Sequence, residues 1–171
     1  MTQPATEQDF SLGSVEVALT PLARFEEFLQ SRGKRITRPR KVIVDEVFRQ
    51  HEHFDAENLM DQLRKSAPDR KVSRSTVYRT LEQLVESGLL REMTLGGRSV
   101  YEHDYGYPQH DHLHCQQCQR LIEFQSDEVK GIREAVARKH QFRVTGHRFI
   151  ISGICSACSR PRRRNRPLDL V

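Results

Sequence analysis

The sequence predicts an α+β fold in which an N-terminal winged helix-turn-helix domain precedes a small α/β domain. The first half contains four segments with helical apolar spacing, and a Gly-Gly hairpin pattern follows the last of them. The second half combines short strand patterns with one helix, and two pairs of cysteines follow its strands. The chain has 171 residues, of which 36% are hydrophobic and 30% charged. It is therefore expected to be soluble and folded, with room for one ordinary domain or two small ones.

Each of the four helical segments has a start or stop signal. Apolar residues recur at helical spacing from Pro21 and stop at Gly33, and the second helix is expected to begin around Pro39. Pro68 should end the region of the third helix, and Gly88 suits the position after the fourth. The expected N-caps of the second, third and fourth helices are Thr37, Asp55 and Ser73. The inward residues of the second and third helices are expected to be Val42, Ile43, Val47, Phe48, Leu59, Met60 and Leu63.

The fourth helix has two different faces. Its apolar face, expected in the core, consists of Val77, Leu81, Leu84 and Val85. The start of the other side carries cationic, aromatic and short hydroxyl side chains: Arg74, Ser75, Thr76, Tyr78 and Arg79. Strand patterns over 89–95 and 99–103, joined by Gly96-Gly97, predict the wing. A winged helix-turn-helix places the start of such a helix at base edges in the major groove. These side chains therefore favour a DNA-contacting role for the polar side over the alternative that it is only exposed to solvent.

The second half reads as three strands and a helix. His110–His114 alternate along one strand, with His110, His112 and His114 on one face, and 121–124 form the next strand. A helix is expected over 126–139 and a final strand over 144–154. The residues of that helix expected to face inward are Val129, Ile132 and Val136.

Four cysteines form two C-x-x-C pairs in this half. They are Cys115 with Cys118, and Cys155 with Cys158. The start of the sequence has no secretory pattern and no apolar run reaches the ~18 residues of a membrane span, so a cytoplasmic protein is expected. In a reducing compartment two such pairs predict a structural Zn(II) site rather than disulfides. A redox pair or plain buried thiols are the alternatives.

Charge is unevenly distributed along the chain. The formal net charge is +5, and residues 160–171 contribute most of it through five arginines and one aspartate. This segment is expected to be a disordered basic tail. Two further basic clusters are Arg32, Lys34, Arg35, Arg38, Arg40 and Lys41, and Arg64, Lys65, Arg70, Lys71, Arg74 and Arg79. If both clusters form one basic face, that face is typical of a protein that binds nucleic acid. The alternative is that these charged side chains are only exposed to solvent.

Histidines and carboxylates cluster beside the cysteines. Glu102, His110, His112 and Glu123 are predicted to lie on adjacent strands, where they form an N/O ligand set suited to Fe(II), Zn(II), Mn(II), Co(II) or Ni(II). The remaining histidines without an assigned role are expected at the surface: His51, His103, His114 and His140.

The sequence resembles the ferric uptake regulator (Fur) family of metal-dependent repressors. The resemblance covers about residues 22–158. It rests on the stretches Thr37–Arg40, His53–Leu59, Ser75–Leu81, Tyr101-Glu102 and His110–Cys118, together with Glu123-Phe124, His147 and the second cysteine pair.

The resemblance implies a domain organisation and partners. A lead-in over 1–20 precedes a winged-helix DNA-binding domain over 21–103, a hinge over 104–109, and a dimerisation and metal-binding domain over 110–159 that the tail follows. The implied partners are a palindromic double-stranded DNA operator and a second copy of the chain. No membrane and no small-molecule substrate are expected.

The resemblance also assigns sites. The regulatory metal would be bound by His53, Glu102, His110, His112 and Glu123, and the structural zinc by the four cysteines. The DNA-contacting residues are expected to be Arg35, Ser75, Thr76, Tyr78 and Arg79. Glutamates at the carboxylate positions favour Fe(II), while zinc, manganese or peroxide sensing are the alternatives within the family.

A further metal site found in some members is not expected here. Asp111 and His147 are present, but Gln109 and Lys130 occupy the other two ligand positions. A lysine beside a cation repels it, so metal binding at this site is disfavoured.

An enzyme is the main rival from another class. A zinc hydrolase or deaminase needs an open metal position and a general base. The sequence contains neither H-E-x-x-H nor H-x-E followed by P-C-x-x-C, and a four-thiolate site is closed. No enzymatic activity is therefore expected. A metal-storage protein is disfavoured because it would not need a DNA-reading helix.

Overall fold

The structure, a computed structural model, describes residues 15–49, 53–68 and 72–159. The basic tail, most of the lead-in, His51, and Arg70 and Lys71 of the second basic cluster lie outside these ranges. The chain divides into two compact units, one ending at Gln109 and the other beginning at His110. Across the described ranges, none of the helices has the length and apolar character needed to cross a membrane.

In its described residues, the first unit contains four helices and a hairpin. Their bounds are α1 (Pro21–Ser31), α2 (Arg38–Val47), α3 (Ala56–Ser66), α4 (Arg74–Glu86), β1 (Leu90–Leu95) and β2 (Arg98–His103). The two strands pair antiparallel, and Gly96 and Gly97 between them have φ of 57° and 80°. Positive φ at both central residues is what a type I′ hairpin turn requires. The predicted helices and wing are therefore confirmed.

Apolar faces of all four helices meet in one core. All but two of the predicted inward residues of the second, third and fourth helices are buried, and α1 contributes Phe25 and Leu29. Phe48 and Val85 are only partly buried and pack against the edge of the core. Burial of each large apolar side chain contributes roughly 1.5–3 kcal/mol, so this core holds α4 rigidly with its polar side outward.

A backbone bridge connects the wing to the residues before α3. The N–H of Phe54 donates to the carbonyl of Tyr101 at 3.1 Å, and the N–H of Tyr101 donates back at 2.8 Å. The two rings stack with centroids 5.8 Å apart. Burial raises the pKa of the Tyr101 hydroxyl to about 12, so this ring stays neutral. The bridge fixes the residues next to it in the chain, His53 and Glu102, side by side.

The segment after the wing packs back onto the first unit. The N–H groups of Asp104 and Tyr105 donate to the carbonyl of Leu89 at 3.1 and 3.4 Å. The Tyr105 hydroxyl donates to the carbonyl of Leu19 at 3.1 Å, which also holds the residues before α1.

As far as residue 159, where its description ends, the second unit is a three-stranded sheet with two helices. Its elements are β3 (Asp111–Cys115), β4 (Leu121–Phe124), α5 (Asp127–Lys139), β5 (Ile150–Gly153) and α6 (Ser156–Ser159). The central strand β3 pairs antiparallel with β4 and parallel with β5.

Two expectations for this unit were wrong. The last strand is confined to Ile150–Gly153, because only these residues pair with β3, whereas a strand over 144–154 was expected. On α5, Ile132 is 66% exposed and Val136 55% exposed, and Val129 is half-buried. The apolar spacing is real, but in the described part of this single chain nothing covers that face of the helix.

Candidate metal centres and nucleic-acid interface

The four cysteines lie together at one end of the second unit. Parallel pairing of β3 with β5 places Cys115 opposite Gly153, which brings the two C-x-x-C pairs to the same end of the sheet. The four sulfur atoms all lie within 4.8 Å of one another, and Cys118 Sγ is 3.8 Å from Cys155 Sγ. Tetrahedral zinc with Zn–S bonds of about 2.3 Å requires sulfurs roughly 3.8 Å apart. The residues therefore fit a structural Zn(II).

The thiols of this cluster differ in acidity. Hydrogen bonds from the backbone N–H groups of Cys118 and Cys155 lower the pKa of the Cys115 thiol to about 6. Hydrogen bonds with neighbouring thiols, that of Cys155 above all, raise the pKa of Cys158 to about 12. Four thiolates so close together repel one another unless a cation balances them, and zinc supplies that charge when it is bound.

The first unit holds one pair of candidate metal donors. His53 Nε2 lies 3.2 Å from Glu102 Oε2, and the Glu102 side chain is only 4% exposed. Arg91 Nη1 is 3.6 Å from the other oxygen of the same carboxylate. The Phe54–Tyr101 bridge explains this placement, because each donor adjoins a bridged residue.

The second unit holds three further donors: His110 immediately before β3, His112 on β3 and Glu123 on β4. His112 is the register partner of Glu123, and His110 Nε2 lies 3.8 Å from Glu123 Oε1. The rings of His110 and His112 are edge to face with centroids 4.8 Å apart, and both residues are buried. Two imidazoles and a carboxylate at this spacing form a harder N/O donor set than the cysteine cluster.

A neighbouring pair is organised around an arginine. His147 Nε2 lies 3.0 Å from Asp111 Oδ1, and Arg133 Nη1 donates to His147 Nδ1 at 3.1 Å. An arginine can only donate, so Nδ1 is the acceptor in this contact, and Nε2 lies on the side of the aspartate. Arg133 was missed by sequence reasoning, because its contact with His147 depends on how α5 packs beside the sheet.

Two histidines expected at the surface are buried instead. His103 Nε2 is 3.0 Å from the Val47 carbonyl, and the ring stacks on Phe48 with centroids 4.8 Å apart. His114 Nε2 is 3.2 Å from Gln119 Oε1. His103 lies on β2 and His114 on β3, both are buried, and the Nε2 of each makes a polar contact. The sequence could not predict this burial, because it depends on tertiary contacts of each histidine. His140 is exposed as expected.

The start of α4 presents its polar side to solvent. Ser75 and Arg79 are exposed, and Tyr78 is 42% exposed. Thr76 differs, because it is half-buried and its hydroxyl lies 2.7 Å from the Oγ of the capping residue Ser73.

Four of the described basic side chains in the two basic clusters are paired with acids. Arg32 pairs with Glu86, Lys41 with Glu26, Arg64 with Asp61, and Arg74 with Glu57. Across the described ranges, Arg35 and Arg79 form no such ion pair. Glu57 was not foreseen from the sequence, because its partners lie on a different helix.

A winged helix-turn-helix unit and a second unit with a zinc-type thiolate cluster together define a metal-binding, DNA-binding regulator. Residues 31–152 match the model of the ferric uptake regulator family. The chain belongs to this family. It is a metal-responsive transcriptional regulator of a family that includes iron and manganese regulators, and such regulators are not enzymes.

Individual relatives agree with this assignment. The ferric uptake regulation protein of Campylobacter upsaliensis is 30% identical over 138 residues, which cover 81% of this chain and 88% of the relative. The crystal structure of the Vibrio cholerae ferric uptake regulator has a TM-score of 0.64 at 31% identity and covers 76% of this chain and 98% of that one. A zinc-bound manganese uptake regulator has a TM-score of 0.57 at 34% identity, covering 77% and 98%. Family members bind DNA operators as dimers.

Proposed function

We propose that the protein is an Fe(II)-responsive repressor that binds a palindromic double-stranded DNA operator as a homodimer when its regulatory site holds metal. The observation that carries this proposal is the presence of two preorganised N/O donor sets without a thiolate. His53 and Glu102 form one set, and His110, His112 and Glu123 form the other. The cysteine cluster is a separate site with different donors and is assigned to structural zinc.

The regulatory site is proposed to use both donor sets for one ion. A bound cation supplies charge that balances two buried or half-buried carboxylates. One set adjoins the wing and the start of α3, while the other belongs to the sheet of the second unit. Sharing an ion would fix the orientation of the DNA-binding units, and a dimer binds an operator only when its two reading helices match the half-site spacing.

Fe(II) is proposed over the other metals because of the donor chemistry. Imidazole and carboxylate ligands without thiolate suit Fe(II) and Mn(II), and softer thiolates are what a dedicated zinc sensor tends to add. The relatives named as ferric uptake regulators support the same choice. Mn(II) is the second candidate, favoured by the 34% identity to a manganese uptake regulator.

The DNA-binding domain is proposed to span 21–103 and the dimerisation domain 110–159, with 104–109 between them. Arg35, Ser75, Tyr78 and Arg79 are proposed to contact DNA, and all four are exposed. Thr76 is proposed to act at the same face, where its hydroxyl also completes the cap of α4. Arginines suit phosphates and guanine edges, and the tyrosine ring suits a thymine methyl group.

A band-shift titration tests the switch. A duplex would be selected from a random-sequence library with the Mn(II)-loaded protein, then titrated with protein that holds Fe(II), Mn(II), Zn(II) or no regulatory metal. We expect metal to tighten binding at least tenfold, with Fe(II) effective at a lower free concentration than Mn(II). Equal affinity with and without metal would contradict the switch.

Paired variants identify the donors. His110→Ala with His112→Ala should abolish the metal dependence while zinc content and the dimer persist. The exposed His140→Ala is the matched control and should leave the titration unchanged. Loss of zinc from the double variant would mean that these histidines serve the structural site instead.

A further inference from the structure

We propose that Glu57 restrains the DNA-binding face by holding Arg74, so that DNA must displace this carboxylate before Arg74 can bind a phosphate. The inference rests on the proposed function only in taking α4 as the helix that contacts DNA. It assigns a role to a residue outside the metal sites and outside the set of proposed DNA contacts.

The contacts of Glu57 join two helices at the proposed DNA-binding face. Glu57 lies in the first turn of α3 and forms an ion pair with Arg74, the first residue of α4. The Tyr78 hydroxyl donates to Glu57 Oε1 at 3.3 Å. The Arg74 guanidinium lies over the Tyr78 ring, 5.6 Å from its centroid. One carboxylate therefore contacts both Arg74 and a proposed base-contacting side chain.

The position of this carboxylate is unfavourable for DNA binding. Glu57 is exposed beside the helix start that would face the phosphate backbone, where a negative charge is repelled. While the ion pair persists it also cancels the charge of Arg74. Arg79, five residues further along α4, forms no ion pair within the described part of the chain and is available to phosphate directly.

The consequence is a lower affinity for DNA of any sequence. Binding of one phosphate by an arginine adds about 0.9 to the slope of log affinity against log salt. When Arg74 is already neutralised by Glu57, this contribution falls because the arginine exchanges one anion for another. Because the loss is the same for every sequence, the restraint lowers overall DNA affinity and leaves the ratio of operator to non-specific binding unchanged.

The test measures binding of the full-length, zinc-loaded protein to a random-sequence 30-base-pair duplex across a range of salt. Glu57→Gln should raise the affinity about threefold to fivefold, the range that an exposed ion pair supports. The salt dependence should become steeper by about one unit. Both changes should be equal with and without regulatory metal. An unchanged or weaker affinity would overturn the inference, and weakening confined to the selected operator would mean that Glu57 reads a base.

Two control variants separate the restraint from a general charge effect. Glu27→Gln removes the same charge from another exposed ion pair, with Arg24 on α1, and should change neither affinity nor slope. In an Arg74→Gln background, Glu57→Gln should give a smaller gain, which relief of the direct repulsion alone supplies, and the salt dependence should not steepen by a further unit. A gain as large as in the wild-type background would overturn the restraint. The metal switch is tested by a different experiment, the band-shift titration of the wild-type protein. If that titration showed no metal dependence, the comparison of the Glu57 variants would still be valid.

Discussion

At the scale of single residues, Ser73 determines where the proposed reading helix begins. Its Oγ accepts a hydrogen bond from the N–H of Thr76 at 3.2 Å and lies 3.1 Å from the hydroxyl of Ser75. The first N–H groups of a helix have no partner within the helix, so this bond satisfies one of them. The same serine orders both hydroxyl side chains that are proposed to face DNA.

Removal of this cap should have a measurable cost. Ser73→Ala is expected to lower the free energy of unfolding by about 1 kcal/mol. Thr37 is the matched comparison, because it occupies the N-cap of α2 in an extended conformation but makes no capping bond with its side chain. Urea denaturation followed by far-UV circular dichroism should show a clearly smaller loss for Thr37→Ala. Equal losses would show that the Ser73 bond contributes nothing specific.

At the scale of elements, features set by local sequence signals could be predicted, and features set by long-range packing could not. Helix α3 was predictable because Asp55 caps it and its apolar residues follow helical spacing, both of which are read within one segment. The extent of β5 was not, because it depends on pairing with β3, some forty residues earlier in the chain. The cysteine cluster was predictable from its spacing. The Glu57–Arg74 pair was not, because it joins two helices and leaves no periodic pattern in the sequence.

The apolar face of α5, which includes Ile132 and Val136, is exposed to solvent in the described part of this chain. Its first and last turns carry acidic and basic residues respectively, which favour the helix, yet none of its residues is buried. An apolar stripe on a stable helix is expected to be covered in the functional assembly. A second copy of the chain is the partner that the proposed homodimer supplies.

Charge on this face should therefore break the dimer. Ile132→Glu combined with Val136→Glu is expected to give a monomer in sedimentation velocity at micromolar concentration, with zinc content unchanged. Glu134→Lys, on the opposite side of α5, should remain a dimer. A dimer that persists in the double variant would place the interface elsewhere.

At the scale of the whole molecule, the two units are stabilised by different means. The first has an apolar core drawn from every one of its helices and the hairpin. In the described part of the second unit, the only buried hydrophobic residue is Cys115. The other buried residues there are polar: His110, Asp111, His112 and His114. A unit with so little apolar burial needs another source of stability. Structural zinc sites supply about 10–16 kcal/mol of binding free energy, enough to fill that role.

Loss of zinc should consequently affect one unit far more than the other. Cys115→Ser should release the zinc and remove amide hydrogen-exchange protection from β3, β4 and β5, while α2, α3 and α4 stay protected because their core is intact. Peptide-resolved exchange by mass spectrometry measures both units in one sample. The double variant of His110 and His112 serves as control, since it should keep the zinc and the protection of the sheet. If protection fell equally in both units, zinc would be stabilising the whole chain and the two units would fold as one. If it fell in neither, the sheet would be stable on its own, and the thiolate cluster would have to be assigned a role other than holding the fold.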